Sequence, residues 1–143
     1  MAPTNPEPPF AIRGIDHVVL RVRDLDRVTR FYRDVLGCAL ERVQAEFGLV
    51  QLRAGSTLID LVDLKGAIGR EGGAGPAREG RNLEHFCLRV DPFDGAAIAT
   101  WLRAHGVEPG QVKPRFGADG RGPSLYLEDP EGNRVELKGP PEG

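Results

Sequence analysis

The sequence predicts an α+β fold in which two tandem βαβββ modules form an open, cup-shaped mixed β-sheet barrel. Two observations carry this prediction. The segment DHVVLRV at 16–22 matches EHFCLRV at 84–90, each beginning with an acid and a histidine and ending in Leu-Arg-Val. Each copy is followed by one segment of helical spacing and then by three strand-like segments. An internal duplication of one module explains both observations.

Module one is predicted over residues 12–64. Its β-branched run Asp16–Val22 predicts a strand, and the apolar spacing of Leu25–Val35 predicts a helix. Asp24 is suited to cap the start of that helix, and Gly37 to end it. Three antiparallel strands are then predicted, over Ala39–Ala45, Leu49–Ala54 and Ser56–Val62.

Module two is predicted over residues 82–139, after a glycine-rich linker at 65–81. The linker lacks the spacing of a phosphate-binding loop, so a mobile lid or plain connection is expected. The module repeats the first with strands over Glu84–Val90, Gln111–Arg115, Ser124–Glu128 and Arg134–Lys138 and a helix over Gly95–His105. Together 12–139 form a single domain, with a flexible lead-in at 1–11 and a short tail at 140–143.

Composition excludes some classes of function. The chain has 143 residues and a formal net charge of −2, which gives no electrostatic reason to expect nucleic acid or an anionic membrane as partner. No apolar stretch approaches the roughly 20 residues that span a bilayer. Cys38 and Cys87 lie far apart in apolar settings, so both are predicted to be buried free thiols. The absence of a signal-peptide pattern and the free thiols predict a cytoplasmic protein.

Strand alternation places His17 and His85 on the sheet face opposite the apolar residues, and Glu136 on the corresponding face of the last strand. Asp60 occupies the place in module one that Glu136 occupies in module two. A twofold relation between modules would bring the four together. Two imidazoles and a carboxylate suit a divalent cation such as Zn, Ni, Co, Mn or Fe. Asp60 is either a fourth ligand, or it hydrogen-bonds a neighbouring residue or reaches the ion through a water molecule.

The sequence resembles the vicinal oxygen chelate superfamily, which includes glyoxalase I, fosfomycin-resistance proteins, bleomycin-resistance proteins and extradiol dioxygenases. The resemblance extends over about residues 12–138 and rests on IDHVVLRVRDLDRVTRFYRDVLG, EHFCLRV, LRAHGV and YLEDPEGNRVELKG. The metal ligands of the family correspond to His17, His85 and Glu136, and the fourth-strand acid or Gln of glyoxalase I corresponds to Asp60. Bleomycin-binding members lack these ligands, so their presence here disfavours that role.

Substrate contacts are predicted on the same face. Ser124 and Tyr126 resemble the Ser-x-Tyr that lines the anion pocket of fosfomycin-modifying members, and with Arg121 they could hold a phosphonate, carboxylate or enolate. An ordinary hairpin is the alternative. Arg21 and Arg89 share the face of the histidines, where they could bind a substrate anion or pair with a carboxylate of the protein.

The resemblance implies a divalent-metal-dependent enzyme that binds a small substrate through vicinal oxygens. A glyoxalase-like lyase or isomerase, or a transferase that uses a thiol co-substrate, is expected, with Glu136 or Asp60 as catalytic base. The alternatives are a non-catalytic small-molecule binding or resistance protein and an extradiol-type dioxygenase. A homodimer is expected, with Val28, Tyr32 and Trp101 offering apolar surface for a twofold contact.

Overall fold

The computed structural model describes residues 6–142 and contains the two modules in the predicted order. Module one consists of β1 (His17–Val22), α1 (Leu25–Arg30), β2 (Ala39–Gln44), β3 (Leu49–Ala54) and β4 (Thr57–Asp63). Module two consists of β5 (Phe86–Arg89), α2 (Gly95–Ala104), β6 (Lys113–Gly117), β7 (Gly120–Glu128) and β8 (Arg134–Lys138). The predicted lead-in and tail lie partly outside the described residues.

Each module forms one four-stranded mixed sheet. The strand orders are β1-β4-β3-β2 and β5-β8-β7-β6, with β1 parallel to β4 and β5 parallel to β8. The remaining neighbours are antiparallel. Within residues 6–142 no strand pairing joins the two sheets, so the described chain holds two open sheets and no closed barrel.

The first helical segment changes from α-helical to π-helical geometry at Phe31. Asp24 caps α1 by accepting a hydrogen bond from the Arg27 backbone N–H, as predicted. The segment Phe31–Val35 then forms a π-helical turn, closed by the Leu36 N–H to the Phe31 carbonyl at 3.3 Å. The wider turn lets two successive aromatic residues, Phe31 and Tyr32, both enter the core.

Apolar residues of both modules form one hydrophobic core. It contains Leu20 and Val22 of β1 together with Val135 and Leu137 of β8 and the helix residues Val28, Tyr32 and Leu102. The predicted dimer contact through Val28 and Tyr32 is therefore wrong, because both side chains are fully buried within their own chain. Trp101 is half exposed, but its Nε1–H donates to the Val35 carbonyl at 2.9 Å.

The turn between β7 and β8 joins module two to module one through hydrogen bonds. The buried Tyr32 hydroxyl donates to Asp129 Oδ2 at 2.8 Å. Asp129 also accepts from the backbone N–H groups of Glu131 and Asn133 and from the Asn133 amide, which fixes the turn. The Glu131 carboxylate accepts the backbone N–H groups of Arg23 and Asp24 at the start of α1. These contacts fix the position of the two sheets relative to each other.

The glycine-rich segment 65–81 forms a series of turns held by arginine side chains. Arg21 of β1 donates to three of its carbonyls, Arg23 donates to a fourth, and Arg81 ties its end to the β7–β8 turn. No helix within residues 6–142 has the length and apolar character needed to cross a membrane.

Candidate metal centre

The duplication places two equivalent rows of side chains across the two sheets. In module one Asp60 of β4 lies between Val19 and Gln51 of the neighbouring strands. In module two Glu136 of β8 lies between Cys87 and Tyr126. Side chains in register on neighbouring strands share a face, so each central carboxylate has a fixed set of neighbours. We call the faces that carry these rows the open faces.

His85 and Glu136 form a half-site on the open face of module two. His85 directly precedes β5, and its Nε2 lies 3.2 Å from Glu136 Oε1. Glu136 is 6% exposed, whereas His85 is about one-third exposed at the side chain. The Tyr126 ring meets the His85 ring edge to face, with centroids 5.1 Å apart. Burial, followed by the negative charge of Glu136, raises the pKa of Tyr126.

His17 and Asp60 form the corresponding half-site in module one. Asp60 is 5% exposed, and its Oδ2 accepts a hydrogen bond from Gln51 Nε2 at 3.1 Å. Its other oxygen, Oδ1, is buried and has no hydrogen-bond partner in the described chain. The hydrogen bond to Asp16, and then the charge of Asp60, raise the pKa of His17. A buried carboxylate oxygen without a donor calls for a ligand, because such groups are nearly always satisfied.

The acid before each histidine orients its ring. His17 Nδ1 lies 2.7 Å from Asp16 Oδ1, and His85 Nδ1 contacts the Glu84 carboxylate. A carboxylate at Nδ1 is the usual second partner of a metal-binding imidazole, because it favours the tautomer whose Nε2 can bind the ion. In His85 that Nε2 faces Glu136 Oε1. The acid–His pair was visible in the sequence as a repeated dipeptide, and the geometry gives it this role.

The described chain does not bring the predicted ligands to one point. No group of three or more His, Cys, Asp or Glu side chains within residues 6–142 is arranged to hold a metal ion. The cavity at His85 and Glu136, of about 260 Å³, is lined by residues of module two alone. His17, His85 and Glu136 around one ion are thus not assembled within a single chain. Two half-sites are present instead.

The donors present fit a divalent cation. In half-site two an imidazole nitrogen and a carboxylate oxygen face each other. In half-site one an oriented imidazole accompanies a buried carboxylate oxygen that lacks a donor. Imidazole with carboxylate is a ligand set that Zn, Ni, Co, Mn and Fe accept. Each half-site supplies too few ligands alone, whereas the two together supply four.

The predicted substrate residues differ in their availability. The Arg21 guanidinium is engaged by the carbonyls of the glycine-rich segment, so we leave it out of the substrate site. Arg89 Nε pairs with Asp119 Oδ2 at 2.8 Å, at the rim of the 260 Å³ cavity. Ser124 is fully buried. Arg121 lies on β7 opposite Phe116 and does not line this cavity.

Sequence reasoning missed two basic residues around this half-site. Arg115 of β6 donates to the carbonyl and hydroxyl oxygens of Ser124, at 2.8 and 2.9 Å. The guanidinium groups of Arg115 and Arg134 lie 4.6 and 4.0 Å from the Tyr126 ring centroid. Strand alternation alone places Arg134 on the face of Glu136, whereas Arg115 could be placed there only once the register of β6 and β7 was known.

Cys87 also departs from its prediction. Cys38 is buried as expected, but Cys87 is an exposed free thiol beside Glu136 on the open face. Burial of the sulfur, with the charge of Glu136, raises the pKa of Cys87 to about 11. The apolar residues next to Cys87 in the sequence point to the opposite face of β5. Their apolar character therefore does not predict whether the Cys87 side chain is buried.

Two larger clefts lie away from the half-sites. One, of about 770 Å³, runs between α1 and the β7–β8 turn, and one of about 790 Å³ lies under the glycine-rich segment. Neither contains His17, His85, Asp60 or Glu136. We place the chemistry at the half-sites, because His85 there contacts the buried Glu136 and His17 lies within the electrostatic influence of the buried Asp60.

Known proteins resemble this chain over nearly all of its length. Mitochondrial methylmalonyl-CoA epimerase of Mus musculus is 26% identical over 137 residues, covering 92% of this chain and 75% of the relative. Metallothiol transferase FosB of Staphylococcus epidermidis is 27% identical over 127 residues, covering 88% and 81%. Among solved structures, the integron cassette protein VCH_CASS1 from the mobile metagenome of V. cholerae is 30% identical, with a TM-score of 0.72 and coverage of 91% and 97%.

A lactoylglutathione lyase from Agrobacterium tumefaciens is 26% identical, with a TM-score of 0.60 and coverage of 93% and 96%. The family model described as Glyoxalase/Bleomycin resistance protein/Dioxygenase superfamily matches residues 14–137, which include both half-sites. The duplicated βαβββ order, the two mixed sheets and this match agree. The chain belongs to the Glyoxalase/Bleomycin resistance protein/Dioxygenase superfamily.

Proposed function

We propose that this protein is a divalent-metal-dependent enzyme acting on a small substrate bound through two neighbouring oxygens. The observation that carries the proposal is the pair of half-sites, in each of which an imidazole whose Nδ1 is held by an acid accompanies a buried carboxylate. A bound divalent cation would polarise the substrate oxygens and stabilise negative charge that develops on them. Relatives named as an epimerase, a thiol transferase and a lyase support this class of chemistry.

The metal site is proposed to be shared between two copies of the chain. His85 and Glu136 of one copy would meet His17 and Asp60 of the other, so a homodimer would contain two equivalent sites. Apolar residues just before β1 support such a contact, since Ile12 and Ile15 are 85% and 73% exposed. Strands β1 and β5 each lie at a sheet edge, where pairing groups remain available to a second copy.

The protein side chains would perform the proton transfers. Asp60 Oδ1 is the buried acceptor without a donor, so it is suited to take a proton from the carbon next to the polarised oxygens. Gln51 holds the other oxygen, Oδ2, and thereby aims Oδ1. Tyr126, whose pKa is raised, keeps its proton at neutral pH and can donate a hydrogen bond to a substrate oxygen.

A reaction of the lyase or isomerase type, abstracting and returning a proton, uses these residues directly. Addition of a thiol co-substrate to an electrophile is the second candidate, favoured by the thiol-transferase relative. The two are distinguished by following thiol consumption and, separately, exchange of a substrate carbon-bound hydrogen with solvent deuterium.

Metal analysis of the purified protein, with His85→Ala and Glu136→Ala as variants, tests the proposal. We expect stoichiometric metal in the parent protein and a loss of affinity of about 100-fold or more in each variant. The matched control is His105→Ala, because His105 caps α2 and its Nδ1 contacts the Trp101 carbonyl. A protein without metal, whose small-molecule binding is unaffected by a chelator, would contradict the proposal and favour a binding protein. Iron-dependent oxygen uptake with catechols would instead indicate a dioxygenase.

A further inference from the structure

Lys138 brings a positive charge to the open face of module two. It is the last residue of β8, two positions after Glu136, so the two side chains share a face. The residue is 7% exposed and lines the 260 Å³ cavity together with His85, Cys87 and Glu136. An ammonium group at the wall of the proposed substrate cavity is suited to recognise an anion.

Gly117 makes room for this side chain. A Cβ at Gly117 would lie 2.8 Å from Lys138 Cε and 3.7 Å from Nζ, so the lysine packs directly over the glycine. The tip of the β6–β7 hairpin therefore covers the alkyl part of the side chain. The ammonium end remains in the cavity, where its positive charge acts on the neighbouring Cys87 thiol.

Within residues 6–142 no carboxylate forms an ion pair with Lys138. The two acids that line the same cavity have other partners: Glu136 faces His85, and Asp119 pairs with Arg89. An ammonium group at a cavity wall, with no carboxylate of the described chain paired to it, is available to an incoming anion. A retained charge of this kind, in a cavity beside oriented imidazole and carboxylate groups, points to a counter-ion that arrives with a ligand.

We propose that Lys138 binds the anionic group of the substrate, and that the substrate is a small organic anion carrying a carboxylate, phosphonate or phosphate. This inference rests on the proposed function, which places the chelating oxygens at Glu136 and His85. Residues two apart on a strand are separated by about 7 Å. The anionic group would therefore lie roughly that far from the chelated oxygens, across a short carbon skeleton.

Titration calorimetry of the full-length protein with methylphosphonate tests the inference. We compare the parent protein with Lys138→Met and with Lys65→Met, which removes an exposed lysine from the glycine-rich segment by the same change. Each is measured as purified and after chelator treatment, and neutral dimethyl methylphosphonate serves as the uncharged probe. We expect Lys138→Met to weaken methylphosphonate binding at least about tenfold in one or both forms. Lys65→Met should change it less than about twofold.

Circular dichroism verifies the fold of each variant, and Lys138→Gln replaces Lys138→Met if the latter does not fold. Methylphosphonate affinity that is equal in parent and Lys138 variants, or no binding to the parent in either form, would overturn the inference. Equal affinity for the neutral probe would overturn it as well. Metal content is measured on the same samples. If the parent protein binds metal but its methylphosphonate affinity does not depend on Lys138, only this inference is refuted. If methylphosphonate binding depends on Lys138 but the protein binds no metal, only the proposed metal site is refuted.

Discussion

The hydrogen bond between Tyr32 and Asp129 offers a quantitative test of how the modules are held together. Tyr32→Phe removes one hydroxyl and retains the ring, which packs edge to face on Phe31 with centroids 5.3 Å apart. The lost bond is buried, 2.8 Å long and accepted by a carboxylate. Hydrogen bonds to charged groups contribute about 1.5–3 kcal/mol, so we expect the free energy of unfolding to fall by that amount. The midpoint of thermal unfolding should fall by about 5–12 °C.

Tyr126→Phe is the matched control, because it makes the same chemical change on β7, within module two alone. We expect it to lower the free energy of unfolding by less than about 1 kcal/mol. Both variants are unfolded by urea at one protein concentration, since association would shift the apparent stability. A loss below about 0.5 kcal/mol for Tyr32→Phe, or equal losses for the two variants, would refute the assignment of this bond as an inter-module clamp.

The pH dependence of the same difference gives a second readout. Burial, and then the charge of Asp129, raise the pKa of Tyr32 well above its ordinary value of 10.0. The contribution of the hydroxyl is therefore complete below pH 10 and is lost as the pH rises through the folded-state pKa. The difference in unfolding free energy between parent and Tyr32→Phe should stay constant at neutral pH and shrink only on the alkaline side.

Three further outcomes are expected. Asp60→Asn should weaken metal binding less than His85→Ala, and an equal loss would make Asp60 a full ligand. Cys87, whose pKa is raised to about 11, should react with iodoacetamide about tenfold more slowly at pH 8 than a model thiol, because its lower thiolate fraction is partly offset by higher nucleophilicity. Equal rates would contradict the effect of the neighbouring Glu136 carboxylate on the thiol. Arg21→Met should speed proteolysis within 65–81, and unchanged cleavage would mean that the arginine does not hold the segment.

The fold followed from the sequence because the duplication repeats both pattern and spacing. Strand alternation placed His85 and Glu136 on one face, and the structure puts their side chains in contact. Local pattern decides which face a residue occupies, so these assignments needed no knowledge of how the modules pack. The repeated acid–His dipeptide also has a structural role, because each acid contacts Nδ1 of the adjacent histidine and orients its ring.

The separation of the two half-sites could not be predicted in this way. How the sheets lie relative to each other depends on contacts far apart in sequence, above all those of Tyr32 with Asp129 and of Glu131 with the start of α1. Arg21 shares a face with His17, yet a loop some fifty residues away takes up its donors. Lys138 is buried because Gly117 of β6, two strands away in the sheet, leaves space for it. Each of these depends on tertiary packing, which a single-strand pattern does not contain.

A shared metal site between two copies is the central claim, and mixed dimers test it most directly. Chains carrying His17→Ala and Glu136→Ala are co-expressed with different tags, and the mixed dimer is isolated through both tags. If each site takes His17 from one copy and Glu136 from the other, the mixed dimer retains one complete site. We predict about one metal ion per mixed dimer and almost none in either variant alone. A mixed dimer without metal, beside a parent dimer that binds it, would show that the ligands come from a single chain and would contradict the account.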